Sequence, residues 1–124
     1  RGLQSRFQPL LPEARQDDAG ISALLIWLQQ HHAKTLDLEQ LAARLHCSTR
    51  SLLRRFKAAT GLTPIDYLQR LRISAAQGAL HQPQPSLEQV ALAVGYQDRA
   101  TFARLFKQLC GETPGAFRRR VLER

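Results

Sequence analysis

An all-α chain of about seven helices is what this sequence predicts, and three observations carry the prediction. A block of sequence recurs in the second half; each copy alternates apolar and polar residues at helical spacing; and each copy is punctuated by residues that start or stop helices. Leu38-Glu-Gln-Leu-Ala matches Leu87-Glu-Gln-Val-Ala at an offset of 49, whereas Phe56-Lys57 matches Phe106-Lys107 at an offset of 50. One residue, near Gln97, is therefore inserted between the two helices of the second copy. The match runs on through Gly61-Leu-Thr-Pro64 and Gly111-Glu-Thr-Pro114, so each unit reads helix, tight turn, helix, glycine stop, proline start. That layout is a helix-turn-helix, present twice.

Taken in order, Arg1 to Gln16 holds Gly2, Pro9, Pro12 and mixed charge without a helical period, and reads as an arm or the remnant of an inter-domain linker. Asp17 or Asp18 can cap a first helix running to about His32, with Ile21, Leu24, Leu25 and Leu28 on its apolar stripe and Trp27 beside it as a packing anchor. Asp37-Leu-Glu-Gln40 and Ser86-Leu-Glu-Gln89 are capping boxes that each start a helix. Leu38, Leu41, Ala42 and Leu45 face inward on the first, and Leu87, Val90, Ala91 and Val94 on the second. The following turns differ, because His46 stands where the second copy has Gly95, so His46 is expected to carry a strained left-handed conformation.

The second helix of each unit has one apolar and one outward face. In Ser48 to Lys57, Leu52, Phe56 and Ala59 point in, while Arg50, Leu53, Arg54 and Lys57 point out. In Asp98 to Lys107 and the residues after it, Phe102, Leu105, Phe106 and Leu109 point in, and Arg99, Ala100, Ala103, Arg104 and Lys107 point out. Pro64 can begin a long helix to about Leu80, carrying Ile65, Leu68, Leu71, Ile73, Ala75, Ala76 and Ala79, that ties the units rigidly together. Gly78 and the Gln82 to Ser86 stretch are expected to close it. Pro114 starts a last helix to about Leu122, with Phe117 and Val121 inward and Arg118-Arg119-Arg120 outward. The expected division is 1–16 arm, 17–62 first unit, 63–81 linker helix and 86–124 second unit.

The 124 residues fit one domain, and 44% apolar content can fill its core. A net charge of +8, with 15 arginines against 3 lysines, points to an anionic partner that accepts planar, bidentate donors. The longest wholly apolar run, Ala23 to Leu28, is far shorter than the ~20 residues that span a bilayer, and no signal-peptide pattern opens the chain. A soluble, cytoplasmic protein is expected. Cys47 and Cys110 occupy non-equivalent places in the repeat and read as reduced packing residues. The chain starts at Arg1 and has no methionine, so a longer parent protein is expected.

An α-helix fits the major groove of B-DNA, where an arginine can donate two hydrogen bonds to guanine O6 and N7. Arg50, Arg54, Arg99 and Arg104 are placed to do so, while Leu53, Ala100 and Ala103 can meet thymine methyl groups. Phosphate contacts are expected from Ser48, Thr49, Ser51, Arg55, Lys57, Thr101, Lys107 and Arg118. Two such helices about one DNA turn apart, ~34 Å, would occupy successive major grooves on one face of double-stranded DNA.

These residues resemble the DNA-binding domain of AraC/XylS-family bacterial transcription regulators, over about residues 18 to 120. The resemblance rests on the paired units, Ala93-Val-Gly-Tyr96, Phe102 with Arg104 and Phe106-Lys107, Gly111-Glu-Thr-Pro114 and Phe117-Arg118. Leu62 to Arg72 is similar to the linker-helix start of the subgroup whose amino-terminal domain is amidotransferase-like. The resemblance implies seven helices, two half-sites in adjacent major grooves, contact with RNA polymerase and a sensor or effector-binding domain upstream. Carried over by position, the base-reading places are Arg50, Leu53 and Arg54, then Arg99, Ala100, Ala103 and Arg104. The chain departs from the family pattern at His46, Ala100 and Ala103, so less hydrogen-bonded readout is expected from the second unit.

Two rival readings are weaker. An enzyme would rest on four histidines, Cys47, Cys110 and the acidic residues, but no metal-ligand spacing or nucleophile motif links them, and no cofactor or metal is expected. A module used mainly for protein contact would have little reason to place arginines outward on both second helices.

Overall fold

The computed structural model describes residues 10–123, and these form seven helices and no strand. They are α1 (Ala19–His31), α2 (Leu38–Arg44), α3 (Thr49–Thr60), α4 (Pro64–Ala79), α5 (Leu87–Ala93), α6 (Arg99–Cys110) and α7 (Pro114–Leu122). Every start is capped by a side-chain oxygen: Asp18, Asp37, Ser48, Thr63, Ser86, Asp98 and Thr113 each accept from a backbone amide three residues on. Both capping boxes close, with Gln40 and Gln89 returning the bond to the cap amide at 3.1 and 2.9 Å. The inserted Gln97 follows from the caps, since Ser48 and Asp98 do the same work one residue out of register. α3 and α6 stop at Gly61 and Gly111, both left-handed, whose amides donate to the Lys57 and Lys107 carbonyls at 2.8 Å.

Two apolar cores result. The first gathers Ile21, Leu24, Leu25 and Leu28 of α1, Leu41 and Ala42 of α2, Leu52, Phe56 and Ala59 of α3, and Tyr67, Leu68 and Leu71 of α4. The second gathers Ile73, Ala76 and Leu80, Val90, Ala91, Val94 and Tyr96, then Phe102, Leu105, Phe106 and Phe117. α4 therefore feeds both. At 100° per residue, its first-core and second-core residues point roughly 170° apart, so its apolar stripe changes sides between Leu71 and Ile73. Ile65, counted from the sequence among the apolar residues that α4 carries, is 38% exposed. It lies toward the second-core side of α4, but about two turns before that core begins. Gly78 likewise does not end α4, which runs to Ala79 and closes at Leu80 in right-handed geometry.

The part of the expected arm that is described, residues 10–16, is docked. Leu10 packs on the second core, Leu11 and Ala14 on the first. Arg70 of α4 donates to the Leu10 carbonyl at 2.9 Å, and the Arg15 amide donates to the Ala59 carbonyl of α3 at 2.9 Å. Residues 1–9 of that arm lie outside the described residues.

Candidate nucleic-acid interface

α3 buries Leu52 and Phe56 completely, which turns Arg50, Leu53, Arg54 and Lys57 to solvent. Leu53 is 38% exposed and adds an apolar side chain to that face. The Ser48 hydroxyl accepts from the Ser51 amide at 3.1 Å, and the Ser51 hydroxyl accepts from the Arg54 guanidinium at 3.1 Å. The cap thus braces the arginine one turn later. On α6, full burial of Phe102 and Phe106 turns Ala100, Arg104 and Lys107 outward, with Ala103 half-buried at the base of the same face and Arg99 exposed at the first position of the helix. A shallow groove lined by Ala103, Arg104, Lys107, Gln108 and Thr113 runs along it. None of Arg50, Arg54, Arg99 and Arg104 is ion-paired among the described residues.

The two helices differ at their starts. Asp98 accepts from the Thr101 amide at 2.7 Å and from its hydroxyl at 3.2 Å, and these bonds hold its carboxyl below the usual carboxylate range. α6 therefore begins with a charged cap, α3 with the neutral Ser48.

Among the residues expected at phosphates, Lys57 and Lys107 are exposed, Ser48 is exposed but caps its helix, and Thr49, Ser51 and Thr101 are half-buried. Two are diverted. Arg55 donates from Nε and Nη2 to the two carboxylate oxygens of Asp18, at 2.9 and 2.8 Å. The Arg55 bonds, followed by the Ile21 amide, hold the Asp18 carboxyl at about 2. This clamp joins α3 to the start of α1, so Arg55 holds the fold together rather than standing free. Gly20 makes room for it, because a Cβ there would lie 2.7 Å from the Arg55 Nη2. Arg118 points back to donate to the Pro85 carbonyl at 2.6 Å, and its buried Nε has no partner among the described residues. Arg120 pairs with Glu112 at 2.6 Å, which leaves Arg119 as the exposed member of the expected outward trio.

The turns confirm the asymmetry read from the repeat. His46 has φ 54° where Gly95 has φ 111°. Trp27 is held between the His31 ring, stacked at 4.2 Å, and the Arg44 guanidinium at 4.0 Å. Cys47 and Cys110 are both free thiols packed at the edges of the two cores.

Sequence reasoning missed Arg72. Its Nε donates to the His32 carbonyl at 2.6 Å, its Nη2 to the Lys34 carbonyl at 2.8 Å, and its guanidinium sits 5.4 Å from the Tyr96 ring. Burial pushes the Tyr96 phenol up, and the Arg72 charge partly offsets that. Arg72 thereby connects the end of α1 to the turn of the second unit. Nothing in the repeat signals it, for its partners are backbone carbonyls about forty residues away.

The helix-turn-helix domain family matches residues 41–120. The chain is 37% identical over 113 residues to the MmsAB operon regulatory protein of Pseudomonas aeruginosa, covering 91% of this chain and 37% of that protein. It thus spans little more than a third of the length of such curated relatives. Among solved structures it is similar to the DNA-binding domain of AdpA, a global transcriptional factor, in complex with a target DNA. The TM-score is 0.78 at 30% identity, over 82% of this chain and 91% of that one. A transcriptional regulator of the AraC-type DNA-binding domain-containing proteins from Chromobacterium violaceum matches with a TM-score of 0.73 at 26% identity, over 84% of this chain and 96% of that one. Paired helix-turn-helix units of this sequence and geometry place the chain in the AraC family of DNA-binding domains.

Proposed function

We propose that this chain reads a bipartite site on double-stranded DNA, with α3 and α6 in successive major grooves, as the DNA-binding part of a transcription regulator. The observation that carries the reading is that α3 and α6 each present exposed arginines: Arg50, Arg54, Arg99 and Arg104 are without ion-pair partners among the described residues. An unpaired guanidinium on a helix that fits the groove is the donor that distinguishes guanine. Leu53, Ala100 and Ala103 supply apolar contact, so the first unit contributes more hydrogen-bonded readout and the second more shape-dependent readout. Lys57 and Lys107, with Ser48, Thr49, Ser51 and Thr101 around them, meet phosphates; Arg55 and Arg118 support the fold. In the parent protein an upstream sensor domain would govern the pair, RNA polymerase would be the protein partner, and the nucleoid in the cytoplasm would be the place of action.

Selection of bound sequences from random duplex DNA, repeated at two salt concentrations, tests this. Recovery of two conserved blocks about one helical turn apart is expected. Steeply salt-dependent binding with no recovered motif would reduce the charge to phosphate contact alone and overturn the reading.

A further inference from the structure

A concavity beside α3 brings the arm residue Arg15 next to the base-reading Arg54. On α3, Arg50, Arg54 and Ala58 follow one another at four-residue spacing and are all exposed, so Ala58 continues the base-reading row. Beside that row lies a groove of about 520 Å³ whose walls include Arg15, Asp17, Asp18, Arg54, Arg55 and Ala58. Arg15 belongs to the arm rather than to either helix-turn-helix unit. Its backbone is nonetheless fixed to α3, through the 2.9 Å bond from its amide to the Ala59 carbonyl. Its side chain is 67% exposed and rests on Asp17, itself 63% exposed, at 2.6 Å. Arg55 is held by both carboxylate oxygens of Asp18, whereas Arg15 is tied only to the exposed Asp17 and Arg54 only to the Ser51 hydroxyl, so Arg15 and Arg54 are the guanidiniums of the groove that a ligand can draw away.

The dimensions of the duplex give this groove its ligand. A helix with its side chains is ~10–12 Å across, about the ~12 Å width of the major groove, so the flanks of a reading helix lie against the phosphate strands. A cation fixed on such a flank faces a phosphate whichever bases the helix reads. We propose that Arg15 is a backbone-phosphate contact of the first unit, and that Asp17 is the counter-charge it leaves on binding. The groove carries three arginines and two aspartates, so it stays cationic, and the exposed Arg15–Asp17 pair is the kind that salt and a competing phosphate readily displace. This rests on the reading of α3 as a major-groove helix.

The test uses the full chain with two duplexes, a selected high-affinity site and a random sequence, titrated between 50 and 200 mM salt. Arg15→Ala keeps the amide that bonds Ala59, so its thermal midpoint should match the wild type. Its affinity should fall by one common factor, about three- to tenfold, on both DNAs, and the slope of log affinity against log salt should flatten by about 0.9. Arg15→Lys should restore the slope, and Asp17→Asn should tighten binding to both DNAs. Unchanged affinity and slope in Arg15→Ala would overturn the assignment, as would a loss confined to the selected site, which would make Arg15 a base reader. Wild-type protein that bound neither duplex would overturn this proposal and the reading of α3 together, whereas an indifferent Arg15→Ala beside normal wild-type binding would sink this proposal alone.

Discussion

His46 and Gly95 are equivalent in the repeat, yet their surroundings make opposite demands. His46 is exposed at φ 54°, where only its own backbone conformation is unfavourable. Replacement by glycine should stabilise the fold by roughly 0.5–1 kcal/mol, after the larger chain entropy of glycine is set against the relieved strain. Gly95 is at φ 111°, and a Cβ there would lie 2.8 Å from the Arg72 Nε and 3.1 Å from the Ala33 Cα. Gly95→Ala should therefore destabilise, by about 1–3 kcal/mol, and thermal unfolding of both variants checks the contrast. Asp18 makes a second residue-scale prediction. Its folded pKa of about 2 lies below the ordinary 3.8, so its clamp on Arg55 adds stability above about pH 4 and loses it as pH falls toward 2. Asp18→Asn keeps a capable cap while removing the charge. It should lower stability by about 1–2 kcal/mol at pH 7, with the gap to wild type closing near pH 2 in urea titrations.

At the scale of elements, α3 and α6 combine a fully buried aromatic with an exposed arginine face. Phe56 and Phe106 are 0% exposed, so Phe56→Ala and Phe106→Ala should each cost about 3–5 kcal/mol by urea unfolding, through lost contacts and the cavity left behind. The arginines should behave in the opposite way. Arg54→Ala and Arg104→Ala should leave unfolding nearly unchanged. Each should weaken the selected site by about 1–3 kcal/mol and relax preference at one base position, read by binding to single-base variants of the site. Uniform weakening on every duplex would instead make the residue a phosphate contact. α4 shows how an element can be misread although its ends are right. Pro64 and Thr63 start it where expected. Its residues serve two cores on opposite sides, however, and a search for one apolar face credits Ile65 and passes over the buried Tyr67.

For the whole molecule, the spacing of the reading helices depends on what couples the units. α4 supplies a rigid rod through both cores, and Arg72 adds a lateral tie from the His32 and Lys34 carbonyls to the Tyr96 side. The docked residues 10–16 add a third link, with Leu10 on one core and Leu11 on the other. Arg72→Ala should loosen the pair without unfolding either unit. Affinity for DNA carrying both blocks should then drop, by roughly tenfold, while affinity for a duplex with a single block stays the same. Titrations against the two duplexes measure this directly.

What the sequence determined by itself is everything that acts within a few residues along the chain. The seven caps, the two capping boxes, the glycine stops, the inserted Gln97 and the outward arginines Arg50, Arg54 and Arg104 are local chemistry at helical spacing, and the repeat states most of them twice. Which charges stand free is not local, and there the tertiary structure decided. Arg55 meets Asp18 across 37 residues, Arg72 meets His32 across 40, and Arg118 meets Pro85 across 33. Each pairing forms only once helices far apart in the chain pack, because a long flexible guanidinium takes whichever acceptor the packed backbone brings within ~3 Å. For the same reason Arg15, in a stretch without any helical pattern, comes to lie beside the first reading helix.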